Sequence, residues 1–409
     1  MIELKNNRIL LFISGLFLSI FLRIPSTASD TLDINGYNKI FYIVQKSPDT
    51  NQLSSISNRL RLHARCQLSS ALSMHGSYDL IFKHQDNELY LQSSSLKASS
   101  FSEYRVSSID YRLYPVKDNI IDRFGIFQNI DRLFMQYKAV YGDIFVGRQA
   151  VAWGSSKIIN PTDVLLPYTF NELDTEERIG VDAVRLRLPA GDLSELDIGS
   201  VFGSNADSDE NAYYVRSKFF ICGTDIAFIA MDFRDHLLTG IDITGSIKEA
   251  GFWCENAYVF SDMFDNADRC KRNDYYRVSA GCDYNVNDKT FGFIELHYNE
   301  AGEYTEEKYI LNYSKPAYID GSVYLLSTYY IAPGITYKIT PLIIISGYSL
   351  WNLLDDSVYI TSSVEYNISE DMYISAGVYA GIGRSSSHQF ASEFGMYPDM
   401  YFTSLKLYF

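Results

Sequence analysis

Proline is scarce, 10 residues in 409, and tryptophan scarcer still at 3. No Pro/Gly/Ser-rich linker, shift in composition or fixed-length repeat divides the chain, which argues against a string of soluble domains and against a solenoid. Basic charge is in the minority: 35 Lys and Arg face 50 Asp and Glu, for a formal net charge of −15. That deficit excludes nucleic acid as an expected partner, because a phosphate backbone needs a basic footprint. The 5 cysteines, Cys66, Cys222, Cys254, Cys270 and Cys282, show no Cys-x-x-Cys and no Cys/His spacing that would hold a metal or a haem. Cys254 and Cys282 flank one expected hairpin and are candidate neighbours, while Cys66 and Cys222 read as small apolar strand residues. The 6 histidines, His63, His75, His84, His236, His297 and His388, are scattered, and none stands in a Gly-x-Ser-x-Gly or other nucleophile context. Neither an enzyme nor a cofactor or metal centre is expected.

Helical membrane spans are not expected either. The most apolar interior region, Gly321 to Leu354, carries Lys338 as its one charge, but Pro333, Gly334, Pro341 and Gly347 interrupt it. Tyr, Thr, Ile and Val dominate there, which fits two strands around a tight turn. The amino-terminal stretch has a different grammar. Lys5 and Arg8 precede an uncharged, mostly apolar run, Ile9 to Leu22, and Ser26-Thr27-Ala28 supplies small residues at a cleavage spacing. Residues 1–28 therefore read as a cleavable export signal, too short in its apolar part for a comfortable span, and residues 29–409 as the mature protein.

What the chain has in plenty is tyrosine and phenylalanine, 33 and 25, in a sequence of mean hydropathy −0.09. A membrane barrel with a lipid-facing apolar wall, aromatic girdles and a polar lumen has this composition. Period-2 alternation recurs almost throughout: Leu60, Leu62, Ala64, Cys66 and Leu68 alternate with Arg59, Arg61, His63, Arg65 and Gln67. At the carboxy terminus Tyr401, Thr403, Leu405, Leu407 and Phe409 fall on one face and Phe402, Ser404, Lys406 and Tyr408 on the other. A last strand with outward Tyr401, Leu405, Leu407 and terminal Phe409 resembles the signal that barrel-assembly machinery reads in bacterial outer-membrane proteins. Connections alternate short and long from Gly142-Asp143 onward, apart from two short external loops near 235 and 354: long 154–180, short 189–194, acidic 203–210, tight Cys222-Gly223, and so on to long 383–399. The expected fold is thus all-β, a single antiparallel transmembrane barrel of about 18 strands (roughly 16–20), with short periplasmic turns and longer external loops. Segments 88–96 and 238–246 are its weakest strands.

One stretch carries a family resemblance. Val146-Gly147-Arg148-Gln149, Trp153-Gly154, Asn160-Pro161-Thr162-Asp163 and Glu176-Glu177-Arg178-Ile179-Gly180-Val181-Asp182-Ala183 follow one another closely. The run resembles a group of largely uncharacterised porin-like outer-membrane proteins of Gram-negative bacteria and, more distantly, the alginate-export porins. Ile179 departs from that pattern, which commonly has Pro there. The resemblance spans about 40 residues; it implies membrane class and architecture and leaves the cargo open.

Two sets of residues are candidates for function. Arg59, Arg61, His63 and Arg65 would stripe the lumen wall if the apolar face meets lipid, and Arg185 and Arg187 share a face further on; with Arg148 they are the selectivity candidates. Arg185 and Arg187 also lie opposite Glu195 and Asp197 across a short turn, the arrangement of cross-strand ion pairs. The long 154–180 connection, with Asn160, Asp163, Glu172, Asp174, Glu177 and Arg178, is either a constriction folded into the lumen and anchored by Arg148 or a self-packed surface loop. The functional expectation is passive, porin-like passage of a small hydrophilic solute or anionic polymer, in contact with outer-membrane lipid. The alternative is a non-conducting barrel serving surface polysaccharide or sheathing an electron conduit.

Overall fold

The structure is a computed structural model that describes residues 32–46, 52–89, 104–107, 111–116, 121–263, 273–385 and 390–409. The expected export signal, residues 1–28, and Cys270 lie outside the described residues. The described strands form one antiparallel sheet, β1 (Leu32–Lys46) to β19 (Asp399–Tyr408). Each pairs with the next in sequence, apart from the three-residue β4 (Arg112–Tyr114), which sits beside β5 (Phe124–Ala139) while β3 (Leu72–Gln85) pairs with β5 directly. β1 pairs with both β2 (Leu53–Gln67) and β19, from Tyr37 opposite Tyr408 to Lys46 opposite Asp399, so the eighteen long strands close on themselves. Closure leaves no edge, which is what a strand-built span of a lipid bilayer requires.

Alternation decides which face goes where. Val146, Val184, Ile198, Val215, Phe228, Ile294, Ile335, Ile345 and Tyr401 are all exposed and fall in register on one face of the wall. Their neighbours one residue away are buried or polar and turn inward. Tyr401, Leu405, Leu407 and Phe409 share the outward face of β19, as the sequence pattern requires, and Phe409 closes a reciprocal backbone pair with Gly36 on β1. The weak segment 238–246 is a regular strand, β11 (His236–Ile247). The other weak segment is not supported as a strand: residues 87–89 form a helical turn, and 90–96 lie outside the described residues.

Turns at one rim are tight. Cys222 and Gly223 take φ 51° and 80° between β9 (Ala212–Ile221) and β10 (Thr224–Phe233), the doubly left-handed turn that matches strand twist. Arg234 and Asp235 do the same at the opposite rim, φ 45° and 64°, making one external connection as short as a periplasmic one. Cys254 on β12 (Ala250–Phe260) faces Ala280, and Cys282 on β13 (Tyr275–Asn287) faces Phe252; both thiols are free and are diagonal neighbours, not partners.

Two irregularities position the interior. A bulge in β5 opposite Ser77 and Tyr78 leaves Asp131 as the extra residue, so that Asp131 and Arg132 both reach polar partners inside the barrel. Further up, β6 (Gly142–Gln149) leaves the wall at Gln149. Residues 104–107 and 111–116 fill the gap: Tyr111 O and β4 bond β5 on one side, while Tyr104 O accepts from Asp182 N and Val106 O from Asn205 N on the other.

Candidate functional site

The connection from β6 to β7 (Val181–Pro189) runs inside the barrel, where its first half is bolted to the far wall by two carboxyls. Glu255 on β12 accepts from Ser156 N (3.1 Å), Thr162 N (2.9 Å), Thr162 Oγ1 (2.7 Å) and Asn160 Nδ2 (3.1 Å). Glu295 on β14 (Thr290–Asn299) accepts from the successive amides of Lys157 (2.7 Å), Ile158 (3.3 Å) and Ile159 (3.0 Å), and from Trp253 Nε1 (3.0 Å). A loop brought into a barrel leaves backbone donors without water, and these acids satisfy them. Gly154 is needed at the turn: its φ is +105°, and a Cβ there would come within 2.6 Å of Asn160 Nδ2 and 2.8 Å of Glu255.

Past Asn160-Pro161 the loop folds on itself. Asp163 is buried, with Arg178 Nη1 2.7 Å away; that guanidinium also donates to Leu166 O (2.9 Å) and stacks over Tyr168 at 3.7 Å. Burial pushes the Asp163 carboxyl up to about 6, against the pull of Arg178. Glu172 is raised by burial as well and makes no ion pair among the described residues. Apolar side chains of the loop join inward residues of the wall in two clusters, one around Val151, Val164 and Leu165, the other around Ile159 and Phe170. Residues 300–328 and Phe394 pack into the same clusters, so the external half of the barrel interior on the β7-to-β17 side is largely apolar. That interior packing corrects the expectation of a uniformly polar lumen. Its physical reason is that inward-folded loops bury their own apolar residues against the wall.

The second half of the loop meets the opposite kind of surface. Asp174 lies 3.0 Å from Lys39 Nζ and 3.8 Å from Arg59; Glu176 lies 3.0 Å from Lys406 and also bonds Lys39 and the Tyr408 hydroxyl. Glu177 is 3.5 Å from Arg61, 3.8 Å from His63 and 3.9 Å from Arg132. The wall adds Asp79, shared by Arg59 and Arg61, and Asp131, which takes Arg61 Nη2 at 2.6 Å and the Gly180 amide at 2.9 Å. Gly180 is required there, since a Cβ would stand 1.9 Å from Asp131 O. Burial works to raise the Glu176 carboxyl, but hydrogen bonds from Lys39, Lys406 and Tyr408 overcome it and hold the group at about 2. Lys39 and Lys406 stand directly opposite each other across the β1–β19 seam, and Glu176 bridges them.

The expected basic stripe is therefore inside the barrel, but much of it is spoken for. Arg61 is 0 % exposed; Arg59 and His63 are partly open. Arg65 is exposed and makes no ion pair among the described residues. With His63, His75, Arg132 and Glu177 it lines a cavity of about 420 Å³ toward the periplasmic rim. Arg185 and Arg187 also face inward and are paired: Arg185 Nε with Asp197 (2.8 Å) and Arg187 with Glu195 (2.6 Å), the ion-pair alternative of the sequence pattern.

Arg148 overturns an expectation. It stands opposite Leu133 and two residues from Val146, on the outward face, where it takes both oxygens of Asp182 plus Ile130 O and Ser107 O. Strand parity forces this, and residues 104–107 lie against the pair. Residues that sequence reasoning passed over are Lys39, Glu255 and Arg132, and Glu295 serves the loop backbone. The available signal was a lone acid at an inward position of an otherwise apolar strand face, as Glu255 is among Trp253, Ala257 and Val259.

Comparison of the coordinates with solved structures decides the architecture. Pseudomonas aeruginosa OccK7 (OpdD) superposes with a TM-score of 0.55 at 8 % identity, covering 93 % of this chain and 99 % of its own. Acinetobacter baumannii OccAB2 gives 0.57 at 9 % identity over 93 % and 98 %, and P. aeruginosa OccK2 (OpdF) gives 0.57 at 8 % over 92 % and 98 %. The chain has the fold of the outer-membrane porins. Neither a protein-family model nor a curated protein sequence matches it. Identities this low speak for the porin fold alone, so cargo and selectivity have to be argued from the lumen itself.

Proposed function

We propose that the protein is a porin-like channel of the Gram-negative outer membrane, passing hydrophilic solutes with a preference for anions through a lumen narrowed by residues 150–180. The observation that carries this reading is the asymmetry of the interior. Apolar packing fills the external half of the β7-to-β17 side, above the paired charges of Arg185, Arg187 and Arg216, while the β19-to-β5 side holds a network of charges at mid-barrel whose outer members, Arg59, His63, Asp174, Glu176 and Glu177, keep contact with solvent. Water and ions follow charged, hydrated walls and avoid apolar ones. Arg65 and His63 at the cavity below the loop are the groups best placed to set ion preference, and the paired Arg185 and Arg187 serve the wall. The run from Val146 to Ala183 adds its resemblance to porin-like proteins, whose distant likeness to alginate-export porins makes an anionic polymer one candidate cargo.

The test is single-channel conductance of the purified mature chain in a planar bilayer, under a salt gradient. Stable ohmic steps with an anion-selective reversal potential are expected. The apolar clusters inside the barrel favour a second reading, a filled barrel that conducts nothing and acts through partners. A folded, heat-modifiable protein that gives no steps would establish that reading in place of the first.

A further inference from the structure

We infer that the acidic arm Asp174–Glu177 is a built-in competitor, seated in a polyanion-binding site on the β19–β1–β2–β5 wall that a chain of carboxylates takes over. The inference rests on the channel reading above and names the ligand class of the same lumen.

Three observations meet here. First, the loop is held in two unlike ways. Residues 154–162 are fastened by buried bonds from backbone amides to Glu255 and Glu295, whereas the arm is held by ion pairs whose acids are 18 % (Asp174), 39 % (Glu176) and 31 % (Glu177) exposed. The first half is fixed through its backbone, whereas the arm is held by charge alone to Lys39 and Arg61, both 0 % exposed beneath it, so that another carboxylate arriving in the same place is what can release it. Second, the wall has a surplus of positive charge that the arm's three carboxylates offset. Lys39, Arg59, Arg61, Arg132 and Lys406 outnumber Asp79, Asp131 and the more distant Glu365, and the arm's carboxylates make up the difference. Third, the carboxylates are laid out along a chain. Asp174 serves β1 and β2, Glu176 serves β19 and β1, and Glu177 serves β2 and β5, so acids close together on one short stretch of backbone address cations on four strands. A monovalent anion replaces one of these contacts at a time. A polymer with a carboxylate on each repeat replaces them together, with the gain that linked contacts have over separate ones.

The cavity beneath the arm lets such a chain reach Glu177, with Arg65, His63 and Arg132 on its lining. Release of the arm would widen the narrow zone as the polymer entered, so the ligand would open its own path.

The test uses the mature chain in detergent and in planar bilayers, with oligogalacturonate as probe and with galacturonate monomer and a neutral maltooligosaccharide as comparisons. The variant is Asp174→Asn with Glu177→Gln; Glu176 is kept because it neutralises the opposed Lys39 and Lys406. Freeing two ion-paired contacts should tighten oligogalacturonate binding about ten-fold, and the affinity should fall steeply with salt. The monomer should gain far less. Arg59→Gln, which leaves Asp79 its contact with Arg61, should weaken oligomer binding in the same background. Equal binding by wild type and double variant, or equal gains for monomer and oligomer, would overturn the inference. Conductance is read separately: ohmic steps without a binding gain would leave the channel and remove the competitor site, while a binding gain without steps would remove the channel reading on which the inference rests.

Discussion

Replacing Glu295 with alanine tests whether the lumenal loop is fixed through its backbone. In the native protein this carboxyl accepts from three successive amides, Lys157, Ile158 and Ile159, and from the Trp253 indole. Alanine orphans all four donors. A buried donor left without a partner costs about 1–3 kcal/mol. Water can enter the vacated space and restore part of the loss. We therefore expect a net cost somewhat below the combined lower bound of about 4 kcal/mol, about 3 kcal/mol, which is a roughly 100-fold rise in local opening of the loop. The barrel itself should hold, because the ladders of β14 with β13 and β15 are made by backbone atoms that the substitution leaves in place. Hydrogen exchange of peptides covering 155–160, read by mass spectrometry in detergent, measures the opening directly; heat-modifiable mobility on gels reports the barrel. Glutamine at the same position keeps one accepting oxygen and brings an N–H₂ among donors, so it should fall between. Native-like protection at 157–159 in a folded alanine variant would refute the reasoning, since it would mean that the loop is held by its apolar contacts alone.

Other outcomes follow from the same geometry. Gly154→Ala should strain a backbone at φ +105° and push Asn160 off Glu255, loosening the loop by about 1–3 kcal/mol and raising open-channel conductance noise. Arg185→Ala leaves Asp197 buried with the Tyr214 hydroxyl and no Arg185, and should cost about 3–5 kcal/mol in urea unfolding while leaving the reversal potential unchanged. Arg65→Glu should move the reversal potential toward cations without loss of stability; an unmoved potential would remove Arg65 from the selectivity group. Glu393, in the 383–399 connection, accepts from Leu326 N, Tyr330 and Asn352 and lies beside Asp355, and burial raises its carboxyl to about 8 despite those donors. With a folded value above the unfolded one, its contribution is complete below about pH 4.5 and is lost as pH rises through about 8. Proteolysis of the external loops should accelerate over that window, and Glu393→Gln should abolish the dependence.

The strands and most turns were legible because alternation is a local property. Arg59 to Gln67, or Met400 to Phe409, declare two faces within a few residues, and the turn at Cys222-Gly223 needs no distant partner to be seen. The inward loop was half legible. Its acids and the basic stripe were both visible, but their meeting depends on which strands the closed barrel sets across from one another. The β5 bulge that turns both Asp131 and Arg132 toward lumenal partners breaks the very parity on which the reading depends, and Arg148 was assigned inward where parity points out. Residues 104–107 and 111–116 could not be foreseen as wall, because their pairing exists only where β6 has left it vacant.

The opposed lysines on the first and last strands also bear on timing. Until the acidic arm is in place, drawing those strands together sets two ammonium groups face to face, a repulsion that grows as the gap narrows. A newly made chain whose interior is still empty thus resists completing its own ring, and one whose interior is filled is helped to finish.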